Sequence, residues 1–203
     1  TYITEAYPKQ IAFDSKHLKI ITIDIEVECE NGFPNADQAL EPMLSITIKN
    51  HQNNTIMVWG LHDYHNDRDD VEYIQCATEL ELLARFLNWW SSDHPDIITG
   101  WNTEFFDLPY ICNRINSQMG EDAMKRLSPW GVVQSRMVNS GFGRKDQVYE
   151  IMGVNNLDYL QLYKKFTYTN QESYRLDHIA FVELGQRKDE NPNETFRDWY
   201  TKD

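Results

Sequence analysis

The chain has 203 residues, enough for one sizeable domain with its own core. Its 41% hydrophobic and 13% aromatic content excludes a disordered chain, and no apolar run is long enough to span a membrane. The formal net charge of -13 is opposite to that of a domain that neutralises phosphates with Lys and Arg. Either the chain does not bind nucleic acid, or bound cations and a neighbouring domain supply the positive charge.

The start of the chain and its cysteines bear on its origin. The start of the sequence lacks the basic and apolar segments of a signal peptide. It also lacks an initiator Met, so we expect the chain to be cut from a longer protein. Cys29, Cys76 and Cys112 are odd in number and form no CxxC pair, which indicates neither a disulfide framework nor a zinc site. An intracellular, reducing location fits this cysteine usage best.

Residues 20–27 are the first chemically informative stretch. Apolar side chains alternate there with polar ones, as in a β-strand: Ile21, Ile23, Ile25 and Val27. Asp24 and Glu26 are two residues apart, so they point to the same face, roughly 6–7 Å apart along the strand. Two carboxylates in such a strand could converge on a divalent cation. The alternative is a strand end at the surface with two solvated acids.

The next patterns predict strands and then a helix. Residues 43–49 and 55–61 predict two further strands, and the short turns favour an antiparallel meander, followed by an exposed polar loop at 62–70. A capping box at residues 78–81 begins a helix. The apolar face of this helix consists of Leu82, Leu83, Phe86, Leu87 and Trp90.

The second half of the chain alternates between strand and helix signals. Residues 96–100 predict a short buried strand, and a helix follows from about Asp107 to Gly120, then a short one at 121–127. The remaining predictions are a hairpin at 132–152 with its tip at 140–144, and helices at 156–166 and 173–183. Together these elements make an α/β domain with a mixed sheet.

A second informative stretch spans residues 99–107. Asp107 lies where the predicted strand gives way to a helix, a position from which a carboxylate can reach past the edge of the sheet. The alternative is that Asp107 is the N-cap of the helix, because Asp accepts hydrogen bonds from the unpaired N–H groups there.

Taken together, these stretches resemble the 3′–5′ proofreading exonuclease domain of family B DNA polymerases. Asp24-Ile25-Glu26 is similar to the first exonuclease motif, D-x-E, and residues 102–107 are similar to the second, N-x-x-x-F-D. The nearest resemblance is to the replicative polymerases of T-even-type bacteriophages, and it runs from about Lys19 to Lys188. It also rests on further segments, which are residues 24–30 with 32–34, 125–129, 157–159 with 162–166, and 169–171 with 173–174.

The resemblance implies a ribonuclease-H-like mixed β-sheet flanked by helices, with an inserted β-hairpin. It also implies an acidic site for two Mg²⁺ or Mn²⁺ ions. Asp24 would bridge both ions, Glu26 would hold the ion that activates water, and Asp107 the ion on the leaving side. Two cations about 4 Å apart supply both roles in phosphodiester hydrolysis, and hard cations prefer carboxylate oxygens. Bound ions would also supply positive charge at the scissile phosphate.

The resemblance further implies substrate-binding roles for Phe33, Asn102, Phe106 and Lys188. Phe33 matches a Phe that stacks on bases near the primer 3′ end, which suits an enzyme that must accept any base. Asn102 matches an Asn on the substrate strand, and Lys188 a Lys near the attacked phosphate. The alternatives are a Phe packed at a rim, an Asn that caps a turn and a solvated Lys. The hairpin resembles one that helps to separate primer from template.

One family feature is missing. A third motif, Y-x-x-x-D, supplies another metal ligand in the family, but residues 174–177 and 200–203 have the wrong spacing. We therefore expect residues 18–203 to form an exonuclease domain cut before that motif. The fragment would then be weakly active or inactive. Residues 1–17 have no clear period, and we expect them to lead in from a preceding domain.

The implied partners are those of a replicative polymerase in the cytoplasm of its host cell. They comprise a single-stranded DNA 3′ end or primer–template DNA, the polymerase domain of the same chain, and a sliding clamp bound through the full-length protein. No membrane is involved. The alternatives are a free-standing ribonuclease-H-like exonuclease and a non-catalytic module of the same fold that binds nucleic acid or protein.

Overall fold

The computed structural model describes Glu5 and residues 14–29, 32–141 and 144–188. The strands in this part of the chain are β1 Ile20–Val27, β2 Met43–Asn50, β3 Ile56–Gly60, β4 Val71–Gln75, β5 Ile97–Gly100, β6 Val133–Gly141, β7 Arg144–Ile151 and β8 Asn155–Asp158. The α-helices of four or more residues are α1 Glu79–Ser92, α2 Asp107–Met119, α3 Glu121–Lys125, α4 Tyr159–Phe166 and α5 Leu176–Leu184. None of these described helices is long and apolar enough to cross a membrane.

Six strands form one mixed sheet in the order β4-β3-β2-β1-β5-β8. Strands β1, β2 and β3 pair antiparallel, which confirms the predicted meander. Strand β5 joins the other edge of β1 in parallel, and β8 pairs in parallel with β5. Strands β6 and β7 form a separate hairpin, so the predicted mixed sheet and inserted hairpin are both confirmed.

The core forms where helices pack on the middle of the sheet. The alternating apolar residues of β1 are buried, as the period of two predicts. Helix α1 buries its whole predicted apolar face against this core. Its N-cap is Thr78, whose side chain accepts a hydrogen bond from Glu81 N–H at 3.2 Å. Glu81 in turn accepts from Ala77 N–H at 2.9 Å, one residue earlier than in an ideal capping box.

A buried ion pair ties α1 to α2. The guanidinium of Arg114 donates two hydrogen bonds to the carboxylate of Glu79, both at 2.6 Å. The same guanidinium donates to the carbonyl oxygens of Ala39 and Leu40 at 3.0 and 2.9 Å. Glu79 also accepts from Met43 N–H at 2.8 Å, at the start of β2. Helix α2, which begins with a candidate site residue, is therefore held rigidly against the sheet.

Three elements differ from their predictions. Strand β4 was not predicted, because this short edge strand has no fully buried residue to create a clear period. The predicted helix at 156–166 begins only at Tyr159, because the polar residues before it pair with β5 as β8. Helix α5 begins at Leu176 instead of residue 173. Most of the predicted lead-in and the hairpin tip at 142–143 lie outside the described residues.

Candidate active site

The candidate site lies at the carboxyl edge of the sheet. Strands β1, β5 and β8 run in parallel, so their carboxyl ends meet at this edge. Pairing of β1 with β5 ends at Thr22 opposite Thr99. The rest of β1 continues past the end of β5 and carries Asp24 and Glu26. Their side chains lie on the face of β1 opposite its buried isoleucines, and Asp24 is exposed.

The segment that carries the second motif crosses close to β1. A Cβ atom at Gly100 would lie 2.6 Å from the backbone oxygen of Ile23 and 2.6 Å from Thr103 Cγ2. Such contacts are too short for any side chain, so only glycine permits this approach. Residues 101–106 then form a turn in which the carbonyl of Asn102 accepts from Phe105 and Phe106 N–H at 3.2 and 3.0 Å. Helix α2 follows at once.

Asp107 is the link between the two motifs. Its side chain is buried, and Oδ1 accepts a hydrogen bond from Ile25 N–H at 3.2 Å. Ile25 lies between Asp24 and Glu26, so this bond brings Asp107 to the D-x-E strand. The N-cap of α2 is Phe106, and no side-chain hydrogen bond caps this helix. The alternative interpretation of Asp107 as the N-cap is therefore wrong, since Asp107 is the first helical residue.

The carboxyl groups of this site are held in an unfavourable environment. Burial raises the pKa of Asp107 well above its usual range, and the charge of Asp24 raises it further. Partial removal from water by the surrounding protein raises the pKa of Asp24, although its side chain keeps an exposed surface, and it raises the pKa of Glu26. The charge of Asp24 adds to the effect on Glu26. The nearby Lys188 ammonium partly offsets both of these shifts. A cation beside these groups would relieve their burial and mutual repulsion.

The donor set fits a hard cation, because all three groups are carboxylates. Within the described ranges, however, no group of three His, Cys, Asp or Glu side chains is arranged so that it could hold a metal ion. The charge of Asp24 thus acts on both Glu26 and Asp107, although the three carboxylates do not form a closed ligand cluster.

Two aromatic rings flank the site. Phe33 is 85% exposed, and its ring centroid lies 5.1 Å from that of Phe106. The two rings line a cavity of about 120 Å³ together with Glu26 and Cys29. An exposed ring that is packed on one side presents its other face to a ligand. The structure thus brings Phe33 and Phe106 together beside the carboxylate of Glu26.

The other two candidate residues are placed differently. Lys188 is exposed, and its backbone N–H donates to Asp177 Oδ1 at 2.7 Å. Its ammonium group lies close enough to the site for its positive charge to lower the pKa of Asp24 and Glu26. Asn102 has a φ of 69°, and its backbone N–H donates to Asp158 Oδ1 at 3.1 Å. Its carbonyl accepts the hydrogen bonds of the turn described above, so Asn102 stabilises a turn, as the alternative interpretation of this residue predicts.

Sequence reasoning gave no role to Asp158, although it lies next to the site. Asp158 is buried at the end of β8, and its side chain caps α4 by accepting from Leu160 N–H at 2.8 Å. It also accepts from the backbone of the second motif. An Asp directly before a helical pattern is an N-cap signal, but the prediction placed this residue inside a helix.

The hairpin base approaches the second motif from the other side. Tyr149 in β7 donates a hydrogen bond to the side chain of Asn113 in α2 at 2.5 Å. Arg136 in β6 forms an ion pair with Glu150 at 2.9 Å. Burial and the charge of Asp158 raise the pKa of Glu104, and the nearby Arg136 only partly offsets this rise.

Comparison with known proteins decides the family. The sequence matches the family described as DNA polymerase family B, exonuclease domain, over residues 3–179. The chain belongs to this family. It is 33% identical to a DNA-directed DNA polymerase of Escherichia phage RB69 over an alignment of 224 residues that covers 97% of the chain. A DNA-directed DNA polymerase of Enterobacteria phage T4 is 34% identical over 212 residues, or 92% of the chain.

More distant relatives come from animal viruses. The DNA polymerase catalytic subunit of Human herpesvirus 8 type P is 31% identical over 183 residues, which cover 84% of the chain. The chain spans only part of these relatives: 25% of the RB69 protein, 23% of the T4 protein and 18% of the herpesvirus protein. The predicted resemblance is confirmed, as is the expected ribonuclease-H-like fold, a mixed sheet flanked by helices.

Proposed function

We propose that this domain removes nucleotides from the 3′ end of single-stranded DNA in a metal-dependent hydrolysis, as the proofreading part of a replicative polymerase. The observation that carries the proposal is the bond between Asp107 Oδ1 and Ile25 N–H, which joins the two exonuclease motifs. Two sequence stretches that are 82 residues apart thus meet at one sheet edge.

Each residue has a role that follows from its position. Asp24, Glu26 and Asp107 would hold Mg²⁺ or Mn²⁺, since hard cations prefer carboxylate oxygens. When bound, such ions activate a water molecule and stabilise the leaving 3′-oxygen. The hydrogen bond from Ile25 N–H fixes the orientation of the Asp107 carboxylate.

The neighbouring side chains suit a substrate of any sequence. Phe33 and Phe106 offer ring faces for a terminal base, and every base has a π-face. The ammonium of Lys188 supplies positive charge beside the acidic groups, where a phosphate would otherwise be repelled. We propose that Asn102 contacts the substrate strand from the turn that its own carbonyl closes.

A 5′-labelled single-stranded oligonucleotide tests this proposal directly. With Mg²⁺ or Mn²⁺, we expect a ladder that shortens from the 3′ end in a protein extended beyond Asp203, and a weak ladder or none with residues 1–203. Asp24→Asn and Asp107→Asn should abolish the ladder of the extended protein. Asp63→Asn, which changes an exposed acid in the polar loop, is the matched control and should leave the ladder unchanged. Cleavage that persists in EDTA or in Asp24→Asn would refute the proposal.

The domain limits belong to the same proposal. We infer that residues 18–203 form the exonuclease domain, that residues 1–17 lead in from a preceding one, and that a further Asp comes from outside these limits. Degradation should therefore be faster in a protein extended beyond Asp203 than in residues 1–203. Equal rates would argue that the described carboxylates suffice.

A non-catalytic module that binds DNA is the second candidate. The observation in its favour is that the described carboxylates do not form a three-ligand cluster. This candidate predicts oligonucleotide binding that is independent of metal, together with an absence of degradation in both the short and the extended protein.

A further inference from the structure

The carboxylate of Asp158 fixes the turn that carries the second motif. Oδ1 accepts from Asn102 N–H at 3.1 Å, and Oδ2 accepts from Glu104 N–H at 3.0 Å. Oδ1 also accepts from Leu160 N–H at 2.8 Å, at the start of α4. One buried side chain thus satisfies three backbone donors from two segments that are more than 50 residues apart.

The turn needs such support because its backbone conformation is uncommon. Asn102 has a φ of 69°, in the left-handed region that residues other than glycine seldom adopt. Its N–H is held by Asp158 and its carbonyl by Phe105 and Phe106 N–H, so the peptide groups on both sides of its Cα are fixed. A second contact from β8 supports the same turn, since Thr103 Oγ1 donates to Asn156 Oδ1 at 3.0 Å.

The path of this turn decides where Phe106 and Asp107 lie. Only four residues separate Asn102 from Asp107, and Leu108 N–H already donates to the carbonyl of Thr103 at 3.1 Å. A change at the start of the turn is therefore transmitted directly to the first residue of α2. Misplacement of a catalytic group by about 1 Å can lower a rate about 100-fold.

We propose that Asp158 is the positioning residue of this active site, which sets the turn from Asn102 to Phe106 so that Asp107 reaches β1. This inference rests on the proposed exonuclease function. Asp158 acts through the backbone of the turn, because its buried carboxylate accepts from three N–H groups.

The competing explanation is that Asp158 only caps α4. Asp158→Ser separates the two roles, because the Ser hydroxyl is a good cap for Leu160 N–H but is too short to hold the turn as well. Asp158→Asn retains an oxygen for Asn102 and Leu160 N–H and loses only the acceptor for Glu104 N–H. Thr78→Ala is the matched control, because it removes the N-cap of α1, which carries no candidate site residue.

Hydrogen exchange tests the hydrogen bonds between Asp158 and the turn. In Asp158→Ser, we expect the amides of Asn102 and Glu104 to exchange at least about 10-fold faster than in the parent protein, while those of α1 do not change. Asp158→Asn should release Glu104 alone. Unchanged protection of both amides in Asp158→Ser would overturn the inference, whatever the activity of the chain.

Exonuclease kinetics on 5′-labelled oligothymidylate test the consequence. We expect Asp158→Ser to lower kcat about 10–100-fold with KM within about threefold of the parent value, Asp158→Asn to have a smaller effect, and Thr78→Ala to lower Tm without lowering kcat. Parent-like kcat in Asp158→Ser, or an equal loss in Thr78→Ala, would overturn the positioning role. If the parent protein is inactive in both the short and the extended form, the proposed function is refuted instead. Hydrogen exchange would then still show whether Asp158 holds the turn.

Discussion

The buried carboxylate of Asp107 accepts a hydrogen bond from the backbone N–H of Ile25 at 3.2 Å, between the two acids of the D-x-E strand. A charged group in this position costs stability, since burial and the nearby Asp24 charge both disfavour ionisation. The site is thus maintained at the expense of folding free energy.

Asp107→Asn should stabilise the metal-free protein at neutral pH. The pKa of Asp107 is 3.8 in the unfolded chain and is raised in the folded state. The free energy of unfolding therefore falls as the pH rises from about 3.8 through the raised pKa. The amide keeps an oxygen for Ile25 N–H and removes this penalty. We expect Tm in EDTA at pH 7.5 to rise by a few degrees, because 1 kcal/mol corresponds to about 2–4 °C at this size.

The gain should shrink as the pH is lowered, because Asp107 then becomes protonated in the parent as well. Asp63→Asn is the control and should leave Tm unchanged at each pH. A lower Tm for Asp107→Asn at pH 7.5 would contradict the interpretation of Asp107 as a destabilising group.

Divalent cations should raise the Tm of the parent protein. A ligand that binds only the folded state contributes about 2.7 kcal/mol at a hundredfold excess over Kd, which is roughly 5–10 °C here. Thermal melts with Mn²⁺ and Mg²⁺ at pH 7.5 check this, and Asp24→Asn/Asp107→Asn should remove the shift. At pH 5 the shift should be smaller, because protons compete for carboxylates whose pKa is raised. A shift that survives in the double variant would place the cation elsewhere.

Arg114→Met should destabilise the domain strongly. The substitution leaves Glu79 buried without its partner, and breaking a buried pair in this way costs about 3–5 kcal/mol. Urea unfolding followed by circular dichroism measures the loss. Glu79→Met in the same protein should restore part of it, and Glu121→Gln, which breaks the exposed pair with Lys125, should leave the midpoint almost unchanged. A loss in Arg114→Met no larger than that in Glu121→Gln would show that the buried pair is not important.

Phe33→Ala should weaken DNA binding without affecting stability. Stacking of one base on an aromatic ring contributes about 1–3 kcal/mol, whereas a side chain that is 85% exposed contributes little to the core. Fluorescence anisotropy in Mg²⁺, with 5′-labelled oligothymidylate whose 3′ end is protected from cleavage by phosphorothioate linkages, gives the affinity. Tyr64→Ala serves as the control, because it alters another exposed ring, which lies in the polar loop and packs on Tyr73 of β4. Equal affinities for the parent and Phe33→Ala would mean that this ring does not bind DNA.

Local patterns in the sequence were sufficient for most elements of the fold. The period of two in β1, the capping box of α1 and the Pro in the first turn of α2 each predicted the observed structure, because they depend on neighbouring residues. Strands β4 and β8 lacked such signals. Each forms because a parallel neighbour offers unpaired backbone groups, and that neighbour is fixed only by the tertiary fold.

The same distinction applies to the site. The residue types of the site could be predicted from the order of residues alone: two acids on one face of a strand, and a third at a strand–helix junction. The folded chain was needed to show that Asp107 accepts a hydrogen bond from Ile25, 82 residues away, instead of capping its own helix. It was also needed to show that Asp158 holds the turn before Asp107. Hydrogen bonds between distant segments leave no period in the sequence, because each partner alone also fits an ordinary local role.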